Sequence, residues 1–357
     1  MKQYILNHLK NLIGWKTNRK IVVFSIDDYG NVRLDSKKAR EEMDKSGLKV
    51  WSRFDAYDTL ETTDDLSALY ETLSSVKDIN GNHPIITAFS VPVNINFEEM
   101  KKNNYSEYIY ELLPDTYNKL SNLHPKSYKG TWDLWKEGIG KKLIHPEFHG
   151  REHFNLKVFK EKLKKKDKEL LTSLENRSLT SISDSGYKTI TFSGAFKFWD
   201  FEENEDLKAI ISSGLKEFEN VFCFRATHFN SPGGPEHSKL HETLNKGGIR
   251  YIDEPLVKNE HQGFGKFKKK FYYTGKKNNY GQLFMVRNCV FEPMENNGFD
   301  WVNYTMKQIE IAFKLKRPAI ISSHRVNYCG LIDENNRKKG VSLLKNLIDL
   351  IIKIYPN

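Results

Sequence analysis

At 357 residues, with 38% hydrophobic and 13% aromatic side chains, the chain can bury a large core, and it has no low-complexity tract of the kind that stays disordered. Much of its net charge of +10 sits in lysine runs such as Lys164-Lys165-Lys166 and Lys266-Phe267-Lys268-Lys269-Lys270, read as solvated faces or as a surface for an anionic partner; no nucleic-acid motif accompanies them. Cys223, Cys289 and Cys329 have no paired spacing, so neither a disulfide framework nor a Cys-rich zinc site is indicated, and a reducing compartment is favoured.

At the N-terminus, Ile5, Leu6, Leu9, Leu12 and Ile13 are interrupted by His8, Lys10 and Asn11, so residues 1–19 lack the continuous apolar core of a signal peptide. The spacing instead suits a basic amphipathic helix, either packed on the main domain or lying on a membrane surface. No run approaches the ~18 apolar residues of a spanning helix. These features predict a cytoplasmic protein, in one reading peripheral to the inner face of the membrane.

Strands are predicted near residues 20–26, 84–91, 142–148, 188–192, 220–224, 249–253, 282–286 and 318–323, several as nearly continuous apolar runs. Helical periodicity fills residues 36–46, 64–76, 155–174, 201–219, 237–246, 299–315 and 335–354. This alternation implies a parallel sheet, open or closed into a barrel, over residues 20–357 as one domain. The region 258–279, rich in lysine, glycine and aromatics, reads as an ordered hairpin or a flap.

Four polar clusters follow predicted strands, where active sites of parallel α/β folds sit. They are Ser25-Ile26-Asp27-Asp28-Tyr29-Gly30, His149-Gly150-Arg151-Glu152-His153, Phe224-Arg225-Ala226-Thr227-His228 and Ser322-Ser323-His324. Two imidazoles at i,i+4 fit one face of a helical turn and can reach one ion, with His145 and His149 as the alternative register. Adjacent carboxylates at Asp27 and Asp28 oppose joint ionisation unless a cation compensates. Arg225 needs a carboxylate partner and could position the catalytic aspartate, with Asp253 as a further partner. Together the clusters supply metal ligands, an acid and a base, which points to a hydrolase.

In order and content, these motifs resemble those of the NodB-homology polysaccharide deacetylases, carbohydrate esterase family 4. The first cluster is similar to the family's Thr-Phe-Asp-Asp-Gly, and the second, with Leu156, to its His-Ser-x-x-His-Pro-x-Leu. The third stands in the place of Arg-Pro-Pro-Tyr, and Ile321-Ser322-Ser323-His324 matches its late Leu-x-x-His. The resemblance implies a deformed (β/α) barrel and one divalent metal, zinc above all or else cobalt or nickel, on Asp28, His149 and His153. It implies Asp27 as base, Arg225 as its orienting partner, His324 as acid, His228 and Tyr29 at the substrate or oxyanion position, and Asp253 in a supporting role. The implied reaction is removal of acetyl groups from an N-acetylated or O-acetylated polysaccharide or glycan precursor.

The chain also departs from the pattern. Tyr29 precedes the first motif's glycine, Phe154 replaces the second motif's proline, both prolines of the third are absent, and His228 stands where tyrosine is usual. The long stretch between Gly30 and His149, read as an insertion at about 50–140, holds Trp51, Tyr57, Tyr105, Tyr108, Tyr110, Trp132 and Trp135, which serve a core or a glycan-facing wall. The competing readings are hydrolysis of another amide, ester, glycosidic or phosphate bond, and a glycan-binding barrel without turnover.

Overall fold

The structure is a computed structural model that describes residues 2–356 apart from Trp51, Ser185 and Asn297, with side chains described from Asn7 onward; Ile5, Leu6 and Trp51, singled out above, therefore lie outside the described side chains. Eight parallel strands form the main sheet: β1 (Val22–Tyr29), β2 (Ile86–Ser90), β3 (Ile144–Phe148), β4 (His228–Phe229), β5 (Tyr251–Asp253), β6 (Leu283–Met285), β7 (Cys289–Val290) and β8 (Ala319–His324). Their spatial order is β6-β5-β4-β3-β2-β1-β8-β7. The two ends of that order, β6 and β7, are separated in the chain only by residues 286–288. One extended segment thus pairs with β5 through its first half and with β8 through its second. It joins both edges of the sheet, and the result is a deformed (β/α) barrel. Asn288 ties the junction down: its amide donates to the Pro318 carbonyl and to Asn11 Oδ1, and its Oδ1 accepts from the Ile320 N–H.

Helices form where apolar periodicity meets a capping residue. Ser36 caps Lys37–Lys45, Thr62 and Asp65 make a capping box for Thr63–Ser74, and Asn155 caps Leu156–Lys164. The predicted helix at 155–174 is divided into Leu156–Lys164 and Lys168–Glu175, with Asp167 capping the second. Two predicted strands are absent. Residues 188–192 form turns that bury Ile190 and Phe192, and Phe192 stacks on Phe154. Val221 and Phe222 are the last turn of helix Asn204–Phe222, which stops at Cys223 in a left-handed conformation. A four-residue apolar run at the end of a periodic helix reads equally well as a strand.

The stretch between β1 and β3 contributes a barrel strand, β2, and helices that pack around it. Trp135 is fully buried, and Tyr105, Tyr108 and Trp132 pack on the same core. Tyr57 packs on the small cluster of Leu34, Met43 and Leu48. The N-terminal helix, Lys2–Leu12, is fixed to the barrel by Arg317, whose guanidinium donates to the carbonyls of Asn11, Leu12 and Gly14. Residues 257–271 form an ordered antiparallel hairpin. Among the described residues, no helix is long and apolar enough to cross a membrane.

Candidate active site

Both aspartates of the first cluster face one cavity because β1 carries a bulge. Pairing with β2 runs Ile26 to Ala88 and then Tyr29 to Ser90, so β1 holds one residue more than its partner. Asp28 takes up the extra residue with φ of 77°, in a left-handed region that aspartate tolerates better than most residues. Regular alternation would send Asp27 and Asp28 to opposite faces. Gly30, with φ of 74°, completes the turn; a Cβ there would lie 2.7 Å from the Val91 carbonyl oxygen.

Asp28 Oδ1 meets His153 Nε2 at 2.8 Å and His149 Nε2 at 3.5 Å, and all three residues are buried. His149 lies directly beyond β3, where its backbone N–H donates to the Ser90 carbonyl. Its Nδ1 lies 2.8 Å from the Asn230 carbonyl. That contact requires a proton on Nδ1, so the neutral ring presents its lone pair from Nε2. Nε2 is buried and has no hydrogen-bond partner. An orphaned imidazole nitrogen aimed at a carboxylate and a second imidazole fits a divalent metal with nitrogen and oxygen ligands. Burial lowers the His153 pKa against the pull of Asp28, which favours the neutral ligand form. Burial opposes the charge on Asp28, but His153, His149 and Arg33 outweigh it and hold its pKa well below the usual carboxylate range. The two histidines converge from an irregular loop instead of the expected helical turn, since helix begins only at Leu156. His145 is exposed, stacks on Phe224 and takes no part in this cluster.

Asp27 is gripped by a different arginine from the one expected. Arg287 Nη1 and Nη2 donate to its two oxygens at 2.7 Å each, while Arg287 Nε donates to Asp253 Oδ2 at 2.7 Å. The Asn230 amide adds a third bond to Asp27 at 3.0 Å. Arg225 precedes β4 and so lies at the N-terminal end of the barrel, where it is exposed and paired with Glu219. The expectation that it orients Asp27 is corrected. Asp253 is placed as a partner of Arg287 and also accepts from His228 Nε2 at 2.8 Å. Burial opposes the charge on Asp253, but Arg287 and His228 hold its pKa below the usual value.

Across the cavity His324, at the end of β8, has Nε2 3.9 Å from Asp27 Oδ2 and Nδ1 2.6 Å from Glu292 Oε1. Burial disfavours its charge, yet the Glu292 carboxylate lifts its pKa to about 9. Glu292 is itself held by Arg53 at 2.8 Å and by the Asn327 amide at 2.7 Å. Phe54 meets the His324 ring edge-on and lines the cavity, which measures about 590 Å³.

Two further expectations are corrected. Tyr29 is buried in the core, edge-on to Trp135, and does not line the cavity. The His228 N–H is already donated to Glu147 and its ring is turned to Asp253, so neither is free to hold an oxyanion. The polar residues that sequence reading missed are Arg287, Glu292 and Asn230. Arg287 carried a usable signal, a lone guanidinium directly after the predicted strand at 282–286.

Fold and side chains define a parallel-stranded barrel with a buried carboxylate–bis-imidazole centre beside a second carboxylate, Asp27, and a third imidazole, His324. No protein-family model and no curated protein matches the chain. Among solved structures it is similar to a probable polysaccharide deacetylase from Pseudomonas aeruginosa PAO1, at 8% identity and a TM-score of 0.41, covering 94% of this chain and 86% of that one. It is similar to a de-N-acetylase from Aggregatibacter actinomycetemcomitans at 13% identity and a TM-score of 0.32, covering 74% and 93%. A 4-alpha-glucanotransferase from Thermococcus litoralis aligns at 11% identity and a TM-score of 0.42, covering 93% of this chain, which spans only 38% of that protein. The fold described above stands on this chain's own strand order.

Proposed function

We propose that the protein is a metal-dependent hydrolase that removes acetyl groups from an N-acetylated or O-acetylated polysaccharide or glycan precursor. One observation carries the reading: three buried ligands, Asp28, His149 and His153, converge beside Asp27, with His324 within 3.9 Å of Asp27. Binding a sugar requires no acid, base and metal ligands together, so this set argues for turnover.

Asp28, His149 and His153 would hold the ion, with zinc, cobalt or nickel suited to these donors. When bound there, such an ion supplies Lewis-acid polarisation of an acyl carbonyl and an acidified water. Asp27 then acts as the base, its carboxylate oriented by the Arg287 fork and the Asn230 amide. His324, protonated at neutral pH through Glu292, donates a proton to the departing amine or alkoxide.

The test is metal stoichiometry by mass spectrometry on protein purified without chelator or tag metal, with His149→Ala and His145→Ala in parallel, followed by acetate release from N-acetylated oligosaccharides. About one ion per chain is expected, lost in the first variant and kept in the second. No ion taken up from zinc, cobalt or nickel would refute the mechanism.

A further inference from the structure

The chain leaves β5 through Glu254 and Pro255, which line the catalytic cavity, and forms the ribbon Val257–His261/Phe267–Phe271. A ribbon resting on a protein body usually turns apolar side chains inward and charged ones to water. Here the alternation is inverted. Inward-facing Lys258 and Glu260 are buried, with Lys258 paired to Glu254 at 2.5 Å and Glu260 to Lys270 at 2.6 Å. His241 and Glu236 complete this buried cluster. Its carboxylates could in principle gather round an ion, but the Lys258 ammonium already serves as their cation.

The outward face carries Val257 opposite Phe271 and Asn259 opposite Lys269; nearer the tip Phe267 stands opposite His261, whose buried ring packs on Phe198. Val257, Phe267 and Phe271 are 45%, 54% and 63% exposed, and Phe264 at the tip is 59% exposed. A second group of exposed apolar residues lies in the N-terminal segment. Leu9, Leu12, Ile13 and Trp15 are all exposed, and the Trp15 N–H donates to the Thr274 carbonyl at 2.7 Å. Trp15 also rests on Gly275, so the segment carrying this second group touches the chain four residues beyond Phe271. Exposed Lys16, Lys266 and Lys269 lie among these residues in the chain, and Lys269 shares the outward face, whereas Lys268 stands opposite Glu260 on the other one.

We propose that this combined face docks the protein on the surface of an anionic lipid bilayer. Buried ion pairs lock the ribbon in an orientation that leaves its apolar side chains in water, an arrangement that favours a partner able to take them up. Aliphatic Leu12, Ile13 and Val257 beside aromatics suit the headgroup–acyl boundary better than a sugar face, which stacks on rings. The interspersed lysines complement acidic headgroups. The proposal is independent of the hydrolase reading.

Co-sedimentation of the full chain with phosphatidylcholine vesicles, with and without phosphatidylglycerol, tests it. Binding that needs phosphatidylglycerol, weakens with salt and falls about tenfold or more in Phe267→Ser/Phe271→Ser and in Lys266→Glu/Lys269→Glu is expected. Thermal unfolding confirms that each variant is folded, and the lysine pair decides if the phenylalanine pair is not. Vesicle binding absent at low salt, or unchanged in folded variants, would overturn the proposal. So would a dimer in sedimentation velocity that the phenylalanine pair abolishes, or retention on an acidic polysaccharide without any on vesicles.

Discussion

Arg287 and Asp27 stand 260 positions apart in sequence and meet through two parallel hydrogen bonds of 2.7 Å. The same guanidinium reaches Asp253, so one side chain neutralises two carboxylates at the cavity floor. Burial opposes the charge on Arg287, but Asp27 and Asp253 raise its pKa further.

Removal of this guanidinium strands two buried carboxylates. Arg287→Ala is expected to cost about 3–5 kcal/mol in denaturant unfolding and to abolish turnover, whereas Arg287→Lys keeps a charge without the fork. Arg225→Ala, on the exposed side, should stay within about 0.5 kcal/mol of the parent and keep its activity. Loss of acetate release in Arg225→Ala would contradict this placement.

His324 supplies the pH dependence. Its pKa in the folded state is raised to about 9 from 6.5, so the folded state binds the proton more tightly than the unfolded chain. The stabilisation is complete below about 6.5 and is lost as pH rises through about 9. Glu292→Gln should move the His324 titration down toward 6.5 in NMR spectra of metal-free protein. It should also shift the alkaline limb of the rate profile to lower pH. An unchanged titration would show that Glu292 does not set the acid.

The backbone at Asp28 separates ligand loss from fold loss. Asp28→Asn tolerates the positive φ and is expected to fold while binding metal far more weakly. Asp28→Val places a β-branched residue at φ of 77° and should lose about 1–3 kcal/mol in addition. Metal titration and urea unfolding on the same two proteins distinguish these effects.

Helix Glu334–Ile354 backs the Glu292–His324 pair through Asn327. A Cβ at Gly340 would fall 1.8 Å from the Asn327 carbonyl oxygen, while the Asn327 amide holds Glu292. Gly340→Ala should therefore destabilise by about 1–3 kcal/mol and depress kcat more than KM. Stability and activity equal to those of the parent would refute the link.

Much of this was legible in the sequence, for physical reasons that can be named. Apolar runs such as Phe24-Ser25-Ile26, at the end of residues 22–26, and Ala319-Ile320-Ile321 are buried on both faces and read as parallel strands, and the polar residues directly after them fall at the barrel mouth. The rule failed at Phe224-Arg225, because Val221 and Phe222 finish a helix and Arg225 precedes its strand. Arg287 and Glu292 escaped notice because their partners are set by long-range closure, which no local pattern records. The bulge at Asp28 was equally hidden, since register with β2 depends on a second segment.

Residues 286–288 bridge the two edges of the sheet, and Arg287 is the middle one. Asp27 therefore acquires its guanidinium only when the ring of strands is complete. A chain halted with β6 and β7 undocked would keep most of its helices and yet leave Asp27 without its guanidinium. Recovery of turnover during refolding then reports the final, most non-local step of assembly, and circular dichroism should run ahead of it.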